Sequence, residues 1–287
     1  MLRLAVPTKA ETFERMREPL AERGIEVGHV RTDERTVTFG DDPFEEYDVG
    51  FVFPPRLAEG GVADALLDVP WVNGREAILR SRHKGEALAR LSQAGLPTPE
   101  TVVISNPVDE DALADAFQQF DPPVVVKPNA TTRGVGVAKA HDLDSFLGVC
   151  DYLDLVHDYR ATGDQSFLVQ EYLPDARDYR AMIVDGEYVG AVERRLPDDA
   201  LADGQWKHNV HRGAEATGIS LDPTLRDLAA RAAKALNIDY LGVDLLVTDD
   251  RTVVNETNAR PTIDSATKYE DGFWDDLAEL IERTATQ

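Results

Sequence analysis

Short apolar runs alternate with amphipathic stretches over the first third of the chain. Leu2–Thr8 reads as a strand, and Glu11–Arg23 carries apolar residues at helical spacing up to Gly24. Glu26–Val30 and Tyr47–Phe53 read as further strands, with a helix over about Leu57–Leu67. Strand–helix–strand order of this kind predicts a small open sheet of parallel strands. Asn73, with Glu76 three positions on, has the spacing of a helix N-cap and predicts one helix continuing to about Ala94. Gly95, Pro97 and Pro99 stop it.

The next elements predict a small α+β unit. They are a strand at Thr101–Ser105, a helix at Asp109–Phe120, a β-branched strand at Val124–Lys127, a glycine turn, a strand at Val135–Ala140 and a helix at Leu143–Tyr159. From Phe167 long strands and hairpins take over. Phe167–Leu173 is followed by Tyr179–Val184 and Tyr188–Arg194 about the turn Asp185-Gly186. Leu241–Thr248 and Thr252–Glu256 face each other across Asp249-Asp250-Arg251, while Pro223–Leu236 and Trp274–Arg283 read as helices. The pattern divides the chain into units at 1–80, 81–164 and 165–287, α/β in the first and α+β in the others.

Charge narrows the choice of partners. The 287 residues carry 30 Lys plus Arg against 53 Asp plus Glu, a formal net charge of −23, which disfavours duplex nucleic acid and anionic membrane surfaces. Hydrophobic content of 43% is too high for an acidic disordered chain. Lysine occurs seven times against 23 arginines, an acid-rich, lysine-poor balance like that of proteins adapted to molar salt. Cys150 is the single cysteine, so neither an internal disulfide nor a cysteine-based zinc site is expected. With no apolar run of membrane-spanning length and no signal-peptide core, the expectation is a soluble cytoplasmic protein.

Three segments carry candidate chemistry. Asp244 sits in the apolar strand Gly242–Leu246, where a bare carboxylate must be paired, metal-bound or exposed at a strand end. Glu256 returns on the partner strand with Asn258 two positions on, pointing to the same side. Two carboxylates and an amide oxygen converging in this way form a hard-oxygen cage suited to Mg²⁺ with phosphate oxygens. Lys127 ends a β-branched strand beside a turn containing Gly134 and Gly136, where backbone N–H groups can approach an anion. That turn matches neither common phosphate-loop pattern. Finally, Gln170-Glu171-Tyr172 closes an apolar strand that can read a base edge, and Arg194-Arg195 offers guanidinium forks to an adjoining cleft.

Taken in order, these pieces resemble the ATP-grasp superfamily and, within it, the RimK-like amino-acid ligases. The resemblance covers about residues 70–270. It rests on Ser81-Arg82-His83-Lys84, Val126-Lys127-Pro128, the glycine loop, Gln170–Leu173, Asp178-Tyr179-Arg180, Trp206–Ala214, Gly242–Leu246 and Glu256–Pro261. It implies an ATP-grasp fold preceded by a small open-sheet domain. Lys84 and Lys127 would hold nucleotide phosphates beneath a mobile lid over Thr131–Val137, with Gly134 and Gly136 in it. Glu171 and Tyr172 would line the adenine, Asp178 would lie on the ribose side, and Lys207 and Asn209 would approach the phosphates. Asp244, Glu256 and Asn258 would bind two Mg²⁺, or Mn²⁺ in their place. Arg180 and Arg212 would contact the transferred phosphoryl group and the acyl phosphate. Apart from the resemblance, Arg194 on its hairpin faces toward substrate, and Arg260, where the family pattern is departed from, either binds a substrate α-carboxylate or pairs with Asp264.

The implied reaction joins a carboxylate to an amine as ATP becomes ADP and phosphate. Its partners would be an amino acid and a carboxylate-bearing acceptor, and a homo-oligomer is compatible with the sequence. Other phosphoryl chemistry and a non-catalytic nucleotide-binding module are the alternatives. Arg260-Pro261-Thr262 stands where the family often has small residues and Pro-Gly, and His83 replaces the acid often found before the second lysine.

Overall fold

The computed structural model describes residues 1–8, 11–39, 44–131, 134–159, 164–263 and 269–287. Its first unit comprises β1 (Leu2–Val6), α1 (Glu11–Ala21), β2 (Ile25–His29), β3 (Val49–Phe51), α2 (Leu57–Leu67) and β4 (Trp71–Val72). The strands form a parallel sheet in the order β2-β1-β3-β4, as their strand–helix rhythm predicts.

The helix expected over Asn73–Ala94 is two helices. α3 (Arg75–Arg82) and α4 (Lys84–Gln93) meet at His83, whose backbone is extended. The break sets Lys84 at the first position of α4. Nor does Asn73 cap α3: Gly74 holds the cap position without a side-chain hydrogen bond. The Asn73 amide instead reaches across the molecule. Its Nδ2 donates to the carbonyls of Ala259, at 2.6 Å, and Tyr240, and its Oδ1 accepts from Tyr240 N at 3.3 Å. Asn serves both purposes because its side chain both donates and accepts, and local spacing cannot distinguish the two.

The second sheet runs β5-β8-β6-β7 and is antiparallel. It contains β5 (Thr101–Ser105), α5 (Glu110–Phe117), β6 (Val124–Pro128), β7 (Ala138–Ala140), α6 (Leu143–Tyr159) and β8 (Ser166–Glu171). Asp109 caps α5 by accepting from Ala112 N at 2.8 Å. β8, grouped by the sequence division with the carboxyl-terminal unit, pairs on both edges with β5 and β6. The boundary at 165 therefore cuts through the middle sheet, and we propose the change of unit beyond Glu171.

The last unit holds β9 (Arg177–Val184), β10 (Glu187–Arg195), α7 (Asp198–Ala202), β11 (Glu215–Ile219), α8 (Pro223–Leu236), β12 (Tyr240–Val247), β13 (Thr252–Asn258) and α9 (Phe273–Thr284). Its sheet is antiparallel, in the order β11-β10-β9-β12-β13. α8 begins at Pro223 behind the Asp222 cap and ends at Asn237 in the left-handed conformation, so both ends are chemically defined.

Buried side chains fall into two clusters. One joins the first and last units and α4, with Leu4, Phe51 and Leu91 sharing a core with Ile183, Tyr240, Leu241 and Leu280. The other is confined to the middle unit, around Val126, Phe146, Phe167 and Val169. Among the described residues no helix is long and apolar enough to cross a membrane.

Candidate active site

Register brings the site together. Directly opposed residues in an antiparallel pair share a face, as do residues two apart in one strand. Arg194 opposes Asp178, Arg180 opposes Asp244, and Asp244 opposes Glu256. Asp178 and Arg180 are two apart, as are Glu256 and Asn258. Four strands thus line one sheet face with Arg194, Asp178, Arg180, Asp244, Glu256 and Asn258. Residues of the other face, among them Tyr179, Ala181, Ile183, Val243 and Leu245, are buried in the main core.

The centre of this face is an arginine–carboxylate knot. Arg180 grips Asp244 through both forks, Nε to Oδ1 at 2.6 Å and Nη2 to Oδ2 at 2.8 Å. Arg194 adds Nη2 to Asp244 Oδ2 at 2.9 Å, and its Nε donates to Asp178 Oδ1 at 3.0 Å. Asp244 is 3% exposed and Arg194 7%. Burial alone would raise the Asp244 carboxyl, but the two guanidinium groups hold it down at about 2. Burial likewise opposes the charge on Arg194, yet Asp244 and Asp178 hold its pKa above the ordinary arginine value. For Asp178 burial wins, aided by the like charge of Asp244, and its carboxyl is raised despite Arg194.

Lysines approach from the neighbouring unit. Lys127, on β6, donates to Gln170 Oε1 at 2.5 Å and to Asn255 Oδ1 at 3.0 Å, beside Glu256. Asn255 is the extra residue of a bulge: Asp244 opposes Glu256, but Leu245 opposes Val254. Burial pushes the Lys127 ammonium down to about 8, with Glu256 opposing that shift and Lys84 adding to it. Lys84 Nζ lies 3.4 Å from Glu256 Oε1 and also donates to the carbonyl of Thr131, where the glycine loop begins. A shallow crevice between α4 and β13 is lined by Lys84, Leu88, Asn255 and Glu256, among others.

The glycine loop is gripped from the opposite side as well. Lys207 donates to the carbonyl of Val137, and burial lowers the pKa of its ammonium. Gly134 and Gly136 both have positive φ, +65° and +74°. A Cβ on Gly134 would lie 2.8 Å from Asn209 Oδ1, and one on Gly136 would lie 2.8 Å from Pro128 Cγ, so glycine is required by space as well as conformation. Residues 132 and 133 of the expected lid lie outside the described residues.

A family model described as the RimK-like ATP-grasp domain matches residues 81–279. The chain belongs to the RimK-like ATP-grasp family. Over 199 residues, 69% of this chain, it is 33% identical to a probable alpha-L-glutamate ligase of Citrobacter koseri. Over the same length it is 32% identical to the ribosomal protein bS6–L-glutamate ligase of Escherichia coli O139:H28. The match spans 62% of the length of each of these relatives. In structure the chain is similar to the ATP-grasp ligase PsnB. For the complex with minimal precursor, Mg and ADP the TM-score is 0.68 at 16% identity, covering 99% of this chain and 98% of that one. The fold is ATP-grasp.

Within this RimK-like frame the expected residues take unequal positions. Lys84 pairs with Glu256 and Lys127 lies beside it, Asp244 and Asn258 share a sheet face with Glu256, and Lys207 and Asn209 face the glycine loop. Two departures concern the partners of the acids. Asp244 is closed by Arg180 and Arg194 on both oxygens, and Asp178, expected toward a ribose, turns its carboxylate to Arg194. Arg212 lies exposed in a short 3₁₀ turn, Val210–Arg212. Glu171 uses its carboxylate to accept from Glu100 N at 2.7 Å and to pair with Arg251, tying the end of β8 to two loops. Tyr172 meets Trp206 edge-on at 5.8 Å, and the Lys139 ammonium caps both rings. Lys139 was not singled out from the sequence, because nothing local links it to Trp206.

The donor set fits Mg²⁺ in its chemistry. Among the described residues no three His, Cys, Asp or Glu side chains cluster so as to hold a metal by themselves. Asp244 and Glu256 would need Asn258 and phosphate oxygens to complete a shell, as hard-oxygen Mg²⁺ sites do. Carboxylates retain lone pairs beyond those bonded to arginine, so Asp244 can still donate.

Second-layer contacts fix where these donors sit. Ser81 Oγ bonds Thr257 Oγ1 and accepts from Ala259 N, both at 3.0 Å, while Asn73 holds the Ala259 carbonyl. Asn73→Ala is expected to lower the unfolding free energy by about 2–3 kcal/mol, since it strands buried backbone groups and leaves alanine at φ +57°. Urea unfolding at neutral pH checks this, and a loss within 0.5 kcal/mol of zero, about the size of a surface substitution, would show that Asn73 does not hold the hairpin.

Proposed function

We propose that this chain is an ATP-dependent ligase that joins a carboxylate to the amine of an amino acid, with ADP and phosphate as the other products. The observation that carries this reading is the single sheet face of acids and arginines met by two lysines from the adjoining unit. The names of the glutamate-ligase relatives support an amino acid, glutamate first, as the added unit. The acceptor would be a small molecule or a protein or peptide carboxylate.

In this reading Lys84, Lys127 and Lys207 neutralise the triphosphate beneath the glycine loop. Tyr172, Trp206 and Lys139 would form an aromatic, cationic rim for the base, and Asp178 would reach the ribose only if Arg194 releases it. Asp244, Glu256 and Asn258 would hold Mg²⁺, which when bound would screen the phosphate charge. The acceptor carboxylate attacks the γ-phosphorus and ADP departs, leaving an acyl phosphate. The amine then attacks the acyl carbon, phosphate departs, and a proton is lost from nitrogen. Arg180 and Arg212 would stabilise charge on the transferred group, Arg180 from its place on Asp244, and exclusion of water would protect the activated acyl carbon. No protein nucleophile is required.

The test is ADP release by the purified chain with each of the twenty amino acids and a cell extract as acceptor source. Given the composition, the assay belongs in molar KCl, and we expect a cytoplasmic protein. ADP release that requires both an amino acid and the extract supports ligation. Turnover without an amino acid would point to other phosphoryl chemistry, and nucleotide binding without turnover to a binding module.

A further inference from the structure

Arg260 carries a buried charge that no acid among the described residues neutralises. Its Nη2 donates to the carbonyls of Phe53 and Pro54, the latter at 2.9 Å, so the loop after β3 fixes the guanidinium in place. Nε and Nη1 are shielded from solvent and have no hydrogen-bond partner. Because guanidinium nitrogens only donate, three N–H groups are stranded. The charge felt nearby is that of Arg82, of the same sign. The contrast with Arg194, buried beside Asp178 and Asp244, is informative. A chain with 53 acidic residues supplies none of them to Arg260 among the described residues.

The position is equally specific. Arg260 N donates to Asn258 Oδ1 at 2.9 Å, and Asn73 and Ser81 pin Ala259 between them. A Cβ on Gly242 would meet Arg180 Cδ at 3.4 Å and Pro261 Cβ at 3.6 Å, so the turn after β13 abuts the reacting face. The stranded donors therefore lie between the first unit and the end of the acid-lined hairpin, away from the lysines that grip the glycine loop. An unpaired guanidinium held out of water is costly, and an anion that docks there removes the cost.

We propose that Arg260, with Arg82 beside it, binds the α-carboxylate of the amine substrate, so that the added unit is an amino acid recognised by that charge. The proposal rests on the ligase reading and names its substrate class. The acceptor's reacting carboxylate loses its charge when it becomes an acyl phosphate. The amino acid's carboxylate stays anionic from binding to product, which suits a permanently charged partner.

The test compares the amino acid that most stimulates ADP release with its α-amide, in wild type, Arg260→Gln and Arg260→Lys. The amide is expected to have a KM about 30-fold above that of the acid in wild type, the scale of a lost charged hydrogen bond. Arg260→Gln should raise the KM of the acid by a similar factor and make acid and amide equal, leaving the KM for ATP in place, and Arg260→Lys should recover part of the preference. Retention of the preference in Arg260→Gln, or a rise confined to the acceptor's KM, would overturn the proposal. A staple between units would lower the melting temperature and move neither KM, which would overturn it as well.

A second readout needs no turnover. Without nucleotide, glutamate should raise the melting temperature of wild type more than its α-amide does, and this difference should vanish in Arg260→Gln. Absence of any amino-acid-stimulated ADP release would remove the ligase reading while this binding result still stands or falls by itself. Equal shifts in both proteins, or none in either, would overturn the subsite.

Discussion

Asp244→Ala is expected to destabilise the chain by about 3–5 kcal/mol, the range for removing one partner of a buried ion pair. It would leave Arg180 and Arg194 facing each other with only Asp178 between them. A buried and a half-buried guanidinium group sharing one raised-pKa carboxyl cannot both be satisfied. Unfolding in urea measures the loss. The sign of its pH dependence follows from the depressed carboxyl: the stabilisation is present above the ordinary aspartate range and is lost as pH falls toward about 2. The gap between wild type and variant should therefore close on acidification. Pairing Asp244→Leu with Arg194→Met should recover part of the stability, because apolar groups of similar size replace buried pairs with little loss. A single-variant loss under 1 kcal/mol would mean that the knot is well solvated. ATP turnover should fall at least about 100-fold in every Asp244 variant, stable or not, since a donor near the transferring group is gone.

Lys127→Met should weaken nucleotide binding about 100-fold at pH 7, as expected for a buried ammonium facing phosphate. The pH profile is the sharper test. In the free protein Lys127 loses its proton near pH 8, and binding an anion restores it. Nucleotide affinity should thus fall about tenfold per pH unit above about 8 in wild type, and this slope should be absent from Lys127→Met. Stability of the free protein should move the other way. An amine whose folded pKa lies below its unfolded value weakens folding while charged, and the penalty lifts as pH rises from about 8 toward the 10.5 of free lysine. Isothermal titration and thermal melting across pH 7–10, each as wild type minus variant, read the two effects. Parallel changes, or no slope in wild type, would place the ammonium in water.

Much of this architecture is legible locally. The helix at Pro223–Leu236 is bounded by a cap acid, a first-position proline and a left-handed asparagine, all visible in order. The hairpin carrying Asp244 and Glu256 follows from alternation and a turn of polar residues, and Lys127 from a β-branched run ending beside glycines. What sequence order does not carry is which strands lie side by side. β9 sits between β10 and β12, so Arg180 and Arg194 reach Asp244 from opposite sides, and no spacing along the chain encodes that. Asn73 has the spacing of a cap, while its distant partners, Tyr240 and Ala259, are invisible to local periodicity. The break at His83 is hidden for a related reason: both helices share one amphipathic rhythm, and the distant Asn129 takes the first N–H groups of α4, Lys84 N at its carbonyl and Gly85 N at its side chain. β8 continues an apolar pattern into the last unit, yet its pairing edges belong to β5 and β6.

The two hydrophobic clusters give the molecule a division of labour. Phe51 and Tyr240 belong to one interior, so the carboxyl-terminal acids and the loop that anchors Arg260 are carried on a common rigid chassis. Lys127 rides on a separately packed insert and touches that chassis through polar contacts such as Asn255. Substitutions inside the insert are therefore expected to shift Lys127 while leaving the acid-lined face and the Arg260 loop where they are.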